Sequence, residues 1–280
     1  MWPSRVYNQG VLPEFHRDRL DVVLVSPRNP LNIGAAARAM ANFGFQRLAV
    51  VAPYGPTWRE AHSAVGAPEV LQNAKEYATI AEAVADCTLV VGTGSLTYRK
   101  PEQPVVQLPD LAPRIAEERA RGGRIALVFG PEKHGLTRDD LSYCHILVEI
   151  PTDPRQPSMN LGQAVAVCLY ELAVRVDSYP FRLEREMDRA PNIDEPTAPA
   201  SSVASRASSG SLDLLAGVIE ETMLAAGYSP KGMRSANRHD LRLLLRRLSL
   251  SAHDARRVLG LFRRILWRLS RLPACKIGPS

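Results

Sequence analysis

The sequence predicts an α/β protein in which a parallel sheet is covered by helices on both faces, followed by a small all-α unit. Between Asp21 and about Val176, short apolar runs alternate with helical patterns. These runs are apolar on both faces, which is typical of buried parallel strands. The composition then changes, because residues 186–211 are rich in Pro, Ala and Ser. Two or three amphipathic helices are predicted between residues 212 and 270.

Five strands account for the predicted sheet. Each is a mostly apolar run of four to six residues between helix or turn signals, at positions 21–26, 47–52, 88–91, 125–129 and 146–150.

Helix signals fill the intervals between these strands. Asn32 is the predicted N-cap of the first helix, and Gly44 marks its predicted end. A short helix is expected near Pro68–Lys75, and Thr79–Glu82 is a capping-box pattern that opens a helix to Asp86. The remaining predicted helices cover residues 110–121, 137–144 and 161–176.

These patterns divide the chain into four parts. Residues 1–20 form an N-terminal segment, and residues 21–180 form the α/β domain. Residues 181–211 are interpreted as a flexible linker, because they contain almost no large apolar side chains. Residues 212–272 form a basic helical extension.

Positive charge is concentrated in this extension. The whole chain carries a net charge of +6, but Lys231–Arg271 contain twelve Lys or Arg and two acids, a balance of +10. Charge of one sign on a short unit indicates a polyanionic partner. The arginines expected to contact phosphates are a row at i, i+4 spacing and two that lie off the apolar stripe of the last helix: Arg238, Arg242, Arg246, Arg257 and Arg264.

Several protein classes are disfavoured by composition. No run of 18 apolar residues indicates a membrane span, and the first 20 residues lack the apolar core of a secretory signal. The four cysteines form no Cys-x-x-Cys pair, which predicts free thiols in a reducing cytoplasm. The six histidines show no ligand spacing, so no metal is expected.

Three loops at predicted strand ends carry unusual chemistry. Ligands of open parallel sheets bind outside the carboxyl ends of the strands, where this chain has Gly92–Ser95, Gly130–Leu136 and a loop with three prolines at 151–160. The second loop has phosphate-loop spacing, but Leu136 stands where the phosphate-binding lysine must be. The first has Thr97 in place of the third glycine of a dinucleotide motif. A nucleotide-binding enzyme is therefore a disfavoured alternative.

The same loops carry a family resemblance. Asn32–Arg38 (NIGAAAR), Phe129–Leu136 (FGPEKHGL) and Ile150–Leu161, with Ser-Met-Asn-Leu at its end, resemble the three motifs of SpoU/TrmH-type ribose 2′-O-methyltransferases of the SPOUT superfamily. The resemblance extends from Asp21 to about Tyr179. The stretches ADCTLVVGT and LQNAKEY and the basic helices are similar to the TrmJ branch, which methylates the ribose at position 32 of the tRNA anticodon loop.

The resemblance implies a fold and a cofactor. The fold of the family contains a deep trefoil knot, and the resemblance implies that the proline loop is part of it. The cofactor is S-adenosylmethionine, and a stiff loop lowers the ordering entropy lost when it binds. The residues implied to hold it are Thr93, Gly94, Ser95, Gly130, Ile150, Pro157, Ser158 and Met159.

The resemblance also implies a reaction. An RNA ribose 2′-hydroxyl attacks the sulfonium methyl group of the cofactor. Arg38 matches the catalytic arginine, which would hold the adjacent phosphate and stabilise the emerging alkoxide. The residues implied to orient the ribose and the loops are Asn32, Glu132, Ser158 and Asn160, while Arg99 matches an RNA-contacting arginine of the TrmJ branch.

The implied assembly is a homodimer that binds tRNA, and Arg38 would serve the pocket of the partner subunit. Two residues depart from the family pattern: Gln156 replaces a tyrosine, and Met159 replaces the leucine of a Ser-Leu-Asn triplet. Two alternatives stay open at this point: the same chemistry on ribosomal RNA, and a non-catalytic RNA-binding module with the same fold.

Overall fold

A computed structural model describes residues 17–55, 58–60, 67–94, 100–176, 204–228 and 233–271. Its strands are β1 (Leu20–Val25), β2 (Arg47–Val51), β3 (Lys75–Tyr77), β4 (Leu89–Thr93), β5 (Val105–Gln107), β6 (Ile125–Phe129) and β7 (Ile146–Glu149). They form one sheet in the order β3-β2-β1-β6-β4-β7-β5. All neighbouring strands are parallel.

Six helices of the described chain belong to the α/β domain: α1 (Pro30–Asn42), α2 (Pro68–Gln72), α3 (Ile80–Ala83), α4 (Leu111–Ala120), α5 (Arg138–Leu141) and α6 (Leu161–Arg175). Three more, α7 (Ser209–Ala225), α8 (Arg234–Arg247) and α9 (Ala252–Leu269), form the helical extension. Among the described residues, no helix has the length and apolar character needed to cross a bilayer.

The predicted fold class is confirmed, since the sheet is buried on both faces. One face packs against α1, α4 and α6, and the other against α3 and the segment around α5. All five predicted strands are present, with ends shifted by one or two residues. The two strands that the sequence did not predict, β3 and β5, have three residues each and lie at the edges of the sheet.

β7 lies between β4 and β5, both of which precede it in the sequence. After β5 has formed one edge of the sheet, the chain therefore returns to the interior of the sheet as β7. The proline loop leaves β7 at its carboxyl end and leads directly into α6. The trefoil knot implied by the resemblance stays a prediction.

Several predicted boundaries were wrong. Residues 17–20 belong to the α/β domain, because Leu20 begins β1 and the Arg19 side chain donates to the carbonyl of Gly122. The predicted linker ends earlier than residue 211: the Ser209 and Gly210 N–H groups donate to the carbonyls of Cys87 and Ala85, at 2.8 and 2.9 Å. Most of the N-terminal segment and residues 181–203 of the linker lie outside the described residues.

The first helix also begins earlier than predicted. Its N-cap is Asn29, whose side chain accepts from the Leu31 N–H at 2.9 Å, and Pro30 occupies the first helical position. Asn32 is therefore inside the first turn rather than at the cap. Its side chain does not cap the helix and instead forms hydrogen bonds with Glu132 and Asn160 in two other loops.

α1 and α6 are in close contact through small residues. A β-carbon at Gly162 would lie 2.6 Å from the β-carbon of Ala35, closer than side chains pack. By contrast, a β-carbon at Gly217 in α7 would meet no atom within 4 Å in the part of the chain that the structure describes. The two helical glycines thus differ in what an added methyl group would encounter.

We expect alanine substitutions at these two glycines to have opposite effects on stability. Gly162→Ala forces α6 away from α1 and should lower the free energy of unfolding by about 1–3 kcal/mol. Gly217→Ala should raise it by roughly 0.5–1 kcal/mol, because alanine is the better helix former. Urea unfolding of both variants checks this. Equal gains in the two variants would show that helix propensity, not the contact with Ala35, decides.

His145 is a structural residue of this domain. It is followed by β7. Its ring Nδ1 accepts from the Val90 N–H at 3.0 Å, and its backbone N–H donates to the Val90 carbonyl at 2.8 Å. Burial lowers the pKa of His145 to about 3, with the nearby Arg246 and Arg206 acting in the same direction. The imidazole is therefore neutral in the folded protein.

We expect this neutral histidine to make folding sensitive to acid. Its pKa is lower in the folded than in the unfolded chain, so its stabilising contribution is complete above about pH 6.5 and decreases toward pH 3. In His145→Asn, an acceptor is retained but the titration is removed. The free energy of unfolding should then change less steeply across this range, by about 1.4 kcal/mol per pH unit. Unfolding curves collected at several pH values measure both slopes.

Candidate active site

The carboxyl ends of three central strands enclose a pocket of about 290 Å³. Its walls come from the ends of β4 and β6 and from the proline loop after β7. Apolar side chains form much of the lining: Phe129, Leu136, Leu141, Leu147, Ile150, Leu161 and Ala164. The volume is near the lower end of that of small-molecule sites, roughly 300–1,000 Å³.

The structure brings most of the predicted cofactor residues to this one pocket: Thr93, Gly94, Gly130, Ile150, Pro157, Ser158 and Met159 all line it. Thr93 is turned partly inward, since its hydroxyl donates to the Val128 carbonyl at 2.9 Å. Ser95 and Arg99, which were also predicted, lie outside the described residues.

The loop after β6 is tightly folded at its first glycine. A β-carbon at Gly130 would lie 2.2 Å from the backbone nitrogen of Leu136, and Gly135 has a φ of +63°. Larger residues cannot replace Gly130 without opening the loop. The loop therefore turns back on itself and presents Glu132, Lys133 and His134 to the pocket.

A chain of side-chain hydrogen bonds joins the three sequence motifs. Asn160 Nδ2 donates to Asn32 Oδ1 at 2.9 Å, and Asn32 Nδ2 donates to Glu132 Oε1, also at 2.9 Å. Asn160 caps α6 by accepting from the Gly162 N–H at 2.9 Å. Three segments separated by up to 128 residues in sequence are thus held in fixed positions relative to one another beside the pocket.

Glu132 is held as a carboxylate by this arrangement. Partial burial raises the pKa of Glu132, but hydrogen bonds from Asn32 and from the N–H groups of Arg28 and Asn29 outweigh it, so the pKa lies below the usual value. Both backbone donors are 3.2 Å from the carboxylate. Glu132 is therefore a positioning anion at the start of α1 and is poorly suited to donate a proton.

The proline loop is braced internally. The Gln156 N–H donates to the Asp153 carbonyl at 2.9 Å, and the Thr152 hydroxyl donates to the Pro157 carbonyl at 3.3 Å. An exposed ion pair joins Arg155 to Asp153 at 2.7 Å. With three prolines, these bonds fix the backbone that carries Ser158 and Met159 into the pocket.

Arg38 does not line the pocket of its own chain. It is exposed on α1 and makes no hydrogen bond or ion pair to any residue that the structure describes. Leu31, seven residues earlier and also exposed, lies on the same face of the helix. The arginine therefore points outward with an apolar neighbour, away from the network that contains Asn32.

Two of the three arginines of the predicted basic row on α8, Arg242 and Arg246, are mostly buried, whereas the Arg238 side chain is 53% exposed. Arg246 is only 2% exposed, and it pairs with Asp213 at 3.1 Å. Arg242 pairs with Asp139 at 3.1 Å, and Arg238 with Glu220 at 2.9 Å. The i, i+4 spacing correctly placed the three on one face, but acidic side chains distant in sequence neutralise that face.

The free positive charge of the extension lies on α9 instead. Arg257 and Arg264, both predicted to bind RNA, are exposed there. At 100° per residue they share one side of the helix with Arg263 and Arg268, two exposed arginines that the prediction did not include. Within the described part of the chain, Arg263, Arg264 and Arg268 have no carboxylate partner. Trp267, 51% exposed, lies on this side as well.

Sequence reasoning missed some residues at the site. Lys133 and His134 line the pocket, although only Gly130 and Glu132 of their loop were predicted as site residues. The absence of a metal stays a prediction. One group of possible ligands in the described chain, Glu102, His239 and Asp240, has its ligand atoms within 4.8 Å of one another. Arg138, however, pairs with Glu102 at 3.0 Å and already supplies the positive charge there.

A parallel sheet with β7 inserted between earlier strands, and an apolar pocket formed by the loops of three joined motifs, define a protein of the SPOUT superfamily. The model of the SpoU rRNA Methylase family matches residues 19–170. The chain belongs to this family.

Relatives extend the similarity beyond the family domain. A Pseudomonas aeruginosa protein named tRNA (cytidine/uridine/adenosine-2′-O-)-methyltransferase TrmJ is 40% identical over 156 residues, which are 55% of this chain and 60% of the relative. A Methanocaldococcus jannaschii TrmJ is 40% identical over 158 residues and is matched over 66% of its length. The chain thus spans three fifths to two thirds of these two relatives.

Other relatives match over almost the whole chain. The tRNA (cytidine/uridine-2′-O-)-methyltransferase TrmJ of Pectobacterium atrosepticum is 32% identical over 250 residues, covering 89% of this chain and 95% of the relative. The crystal structure of TrmJ from Z. mobilis ZM4 superposes with a TM-score of 0.71 at 30% identity, covering 88% of this chain and 98% of that one. The helical extension is therefore included in the similarity.

Proposed function

We propose that the protein is an S-adenosylmethionine-dependent methyltransferase that modifies the 2′-hydroxyl of a cytidine or uridine ribose in tRNA, at position 32 of the anticodon loop. The observation that carries the proposal is the convergence of the three motifs on one pocket, joined by the Glu132–Asn32–Asn160 hydrogen bonds. The names of the matched relatives support the choice of tRNA and of pyrimidine riboses. Such a substrate would be met in the cytoplasm.

The pocket fits the cofactor chemically. Leu136, Leu147, Ile150 and Leu161 offer an apolar enclosure for adenine, and the backbone of the Gly130 and Met159 loops offers hydrogen-bonding groups at the rim. A β-carbon at Gly94 would meet no atom of the described residues within 4 Å, so they leave this wall open to a ligand. When bound, the cofactor supplies an electrophilic methyl group. The protein's own contribution is to hold its loops rigidly and exclude water.

Arg38 is the proposed catalytic residue. Its guanidinium cannot act as a base at neutral pH, since its pKa is above about 12. Instead it holds the phosphate next to the target ribose and stabilises the alkoxide as the 2′-hydroxyl loses its proton. Asn32, Ser158 and Asn160 orient the ribose and the loop. Because Arg38 is exposed and outside its own pocket, it serves the pocket of a second copy.

A homodimer would place it there. The outer face of α6 carries an exposed stripe at helical spacing, with Val167 36%, Tyr170 54% and Val174 50% exposed. Leu31 of α1, 56% exposed, lies on the same face of α1 as Arg38. A two-fold dimer that buries these apolar side chains would bring Arg38 into the interface.

The tRNA body would be held by α9. Its exposed arginines provide several phosphate contacts, and Trp267 provides an aromatic surface among them. The extension is fixed to the α/β domain by the contacts of Ser209, Gly210 and Arg206. Phosphate binding on α9 would therefore position the anticodon loop relative to the pocket.

A methyl-transfer assay tests the proposal. Unmodified tRNA transcripts and a ribosomal RNA fragment are each incubated with the protein and labelled cofactor, and the modified nucleotide is mapped. We expect 2′-O-methylation of tRNA at a pyrimidine at position 32. Transfer to ribosomal RNA alone would favour that substrate, an alternative consistent with the description of the matched family. If calorimetry detects no cofactor binding and no methyl transfer is observed, the remaining candidate is a non-catalytic RNA-binding module.

A further inference from the structure

The helical extension packs against one wall of the cofactor pocket. This wall, residues 136–144, contains α5 and contributes Leu136 and Leu141 to the pocket lining. The same two leucines also line a neighbouring cavity of about 280 Å³, whose other side includes His239 of α8. A single layer of side chains therefore separates the extension from the space assigned to the cofactor.

Arg246 binds the end of this wall. Its Nε donates to the Tyr143 carbonyl at 2.9 Å, and another of its nitrogens donates to Asp213 of α7 at 3.1 Å. Arg242, one turn earlier, lies over the Tyr143 ring at 4.1 Å and pairs with Asp139 of α5. The Arg246 side chain is only 1% exposed. These contacts connect α7 and α8 directly to the backbone and side chains of the wall.

The other side of the wall is held by β4. The His145 N–H donates to the Val90 carbonyl at 2.8 Å. A β-carbon at Gly92 would lie 2.7 Å from the sulfur of Cys144, which shows how closely the wall approaches the strand. In addition, Gln103 donates to the Leu141 carbonyl at 2.6 Å. The wall is thus clamped between the strand that ends at Thr93 and the extension.

We infer that Arg246, assisted by Arg242, is a positioning residue for cofactor binding: the docked extension holds Leu136 and Leu141 in the arrangement that the cofactor requires. Cofactor affinity then depends on the extension even when no RNA is present. Because coupling between two equilibria is reciprocal, bound cofactor also strengthens docking of the extension. The inference rests on the proposed function, since it concerns the same pocket.

The test compares two arginine substitutions on α8 in the full-length protein. Arg246→Met removes the contact with the wall and keeps an apolar side chain in the buried space. Arg238→Met removes an ion pair with Glu220 that lies within the extension. Calorimetric titration with S-adenosylmethionine, without RNA, should show a dissociation constant about 10-fold higher for Arg246→Met, within the 5- to 150-fold typical of coupled sites. For Arg238→Met it should stay within about twofold of wild type.

Two further readouts separate positioning from a general loss of stability. Saturating cofactor should restore most of the kcat of Arg246→Met, so that the defect lies in the KM for cofactor. Arg246→Lys, which keeps the charge beside Asp213 but loses the fork of donors, should give an intermediate dissociation constant. Should Arg246→Met fail to fold, Arg242→Gln removes the ring contact and the Asp139 pair and should still weaken cofactor binding severalfold relative to Arg238→Met.

The outcomes distinguish this inference from the proposed function. If wild-type protein binds the cofactor and the folded Arg246 or Arg242 variants bind it equally well, the inference is wrong while the proposed function stands. A lower unfolding temperature of Arg246→Met with unchanged affinity has the same meaning. If wild-type protein does not bind S-adenosylmethionine, the proposed function is overturned and the inference with it.

Discussion

Replacing Arg38 with alanine should lower kcat for methyl transfer by about 100- to 1,000-fold, the loss typical of removing a group that stabilises a developing oxyanion. The dissociation constant for S-adenosylmethionine should not change, because Arg38 does not line the pocket of its own chain and is proposed to contact the RNA rather than the cofactor in the partner's pocket. Single-turnover assays and calorimetry measure the two quantities. Arg38→Lys should recover only part of the activity, since a point charge cannot replace the planar fork of donors. Arg114→Ala, at another exposed arginine, is the control and should retain full activity.

Mixed dimers can show which subunit Arg38 serves. Arg38→Ala is combined with Gly94→Phe, whose ring would fill the open wall of the pocket. If Arg38 acts in the partner's pocket, the mixed dimer has one complete site, with the intact pocket of the first variant and the intact arginine of the second. Activity should then return although each variant alone is inactive. An inactive mixture of confirmed heterodimers would show that Arg38 acts within its own chain.

Reversing three charges on α9, by Arg257→Glu, Arg263→Glu and Arg264→Glu together, should weaken tRNA binding by at least about 100-fold at moderate salt. These exposed side chains lie on the basic side of α9, so their loss removes phosphate contacts without disturbing the core. The slope of log affinity against log salt concentration should become shallower by about 2–3, roughly one per phosphate contact. Filter binding at several salt concentrations measures both effects.

The matched control for charge is a pair of single variants. Arg264→Glu and Arg114→Glu each change the net charge by the same amount on an exposed helix surface. Only the first should reduce tRNA affinity and the salt slope substantially. Equal effects would show that overall charge, rather than the α9 surface, governs binding. Cofactor affinity should be unaffected in both, because neither side chain is near the pocket wall.

The central sheet and the three motif loops could be predicted from the sequence because both depend on local patterns. The buried strand β6 is apolar throughout and β1 is apolar apart from Asp21, and the loop residues Gly130 and Ser158 follow the ends of β6 and β7. The edge strand β3, Lys75–Tyr77, could not be found this way. Lys75 and Glu76 are exposed and Tyr77 is only partly buried, so these three residues carry no clear periodicity, and the strand exists because β2 offers it a partner.

The errors at α1 and α8 have different causes. The start of α1 at Asn29-Pro30 could have been predicted, because proline prefers the first turn of a helix. The prediction of Asn32 as the N-cap ignored this preference. The buried, paired state of Arg246 could not be predicted from the sequence, because its partners Asp213 and Tyr143 are 33 and 103 residues away. Amphipathic spacing shows that residues share a face; it does not show whether that face meets solvent or acidic side chains of another unit.

The position of β7 has a consequence for biosynthesis. The sheet cannot grow strand by strand as the polypeptide leaves the ribosome, because the slot between β4 and β5 must wait for a strand made later. A nascent chain that has emerged only as far as β6 therefore exposes the edges of both neighbours, and the Asn160 end of the hydrogen-bond chain does not yet exist. On the proposed function, the cofactor can bind only after α6 has been synthesised, and we expect a chain that ends before α6 to be inactive and prone to aggregation.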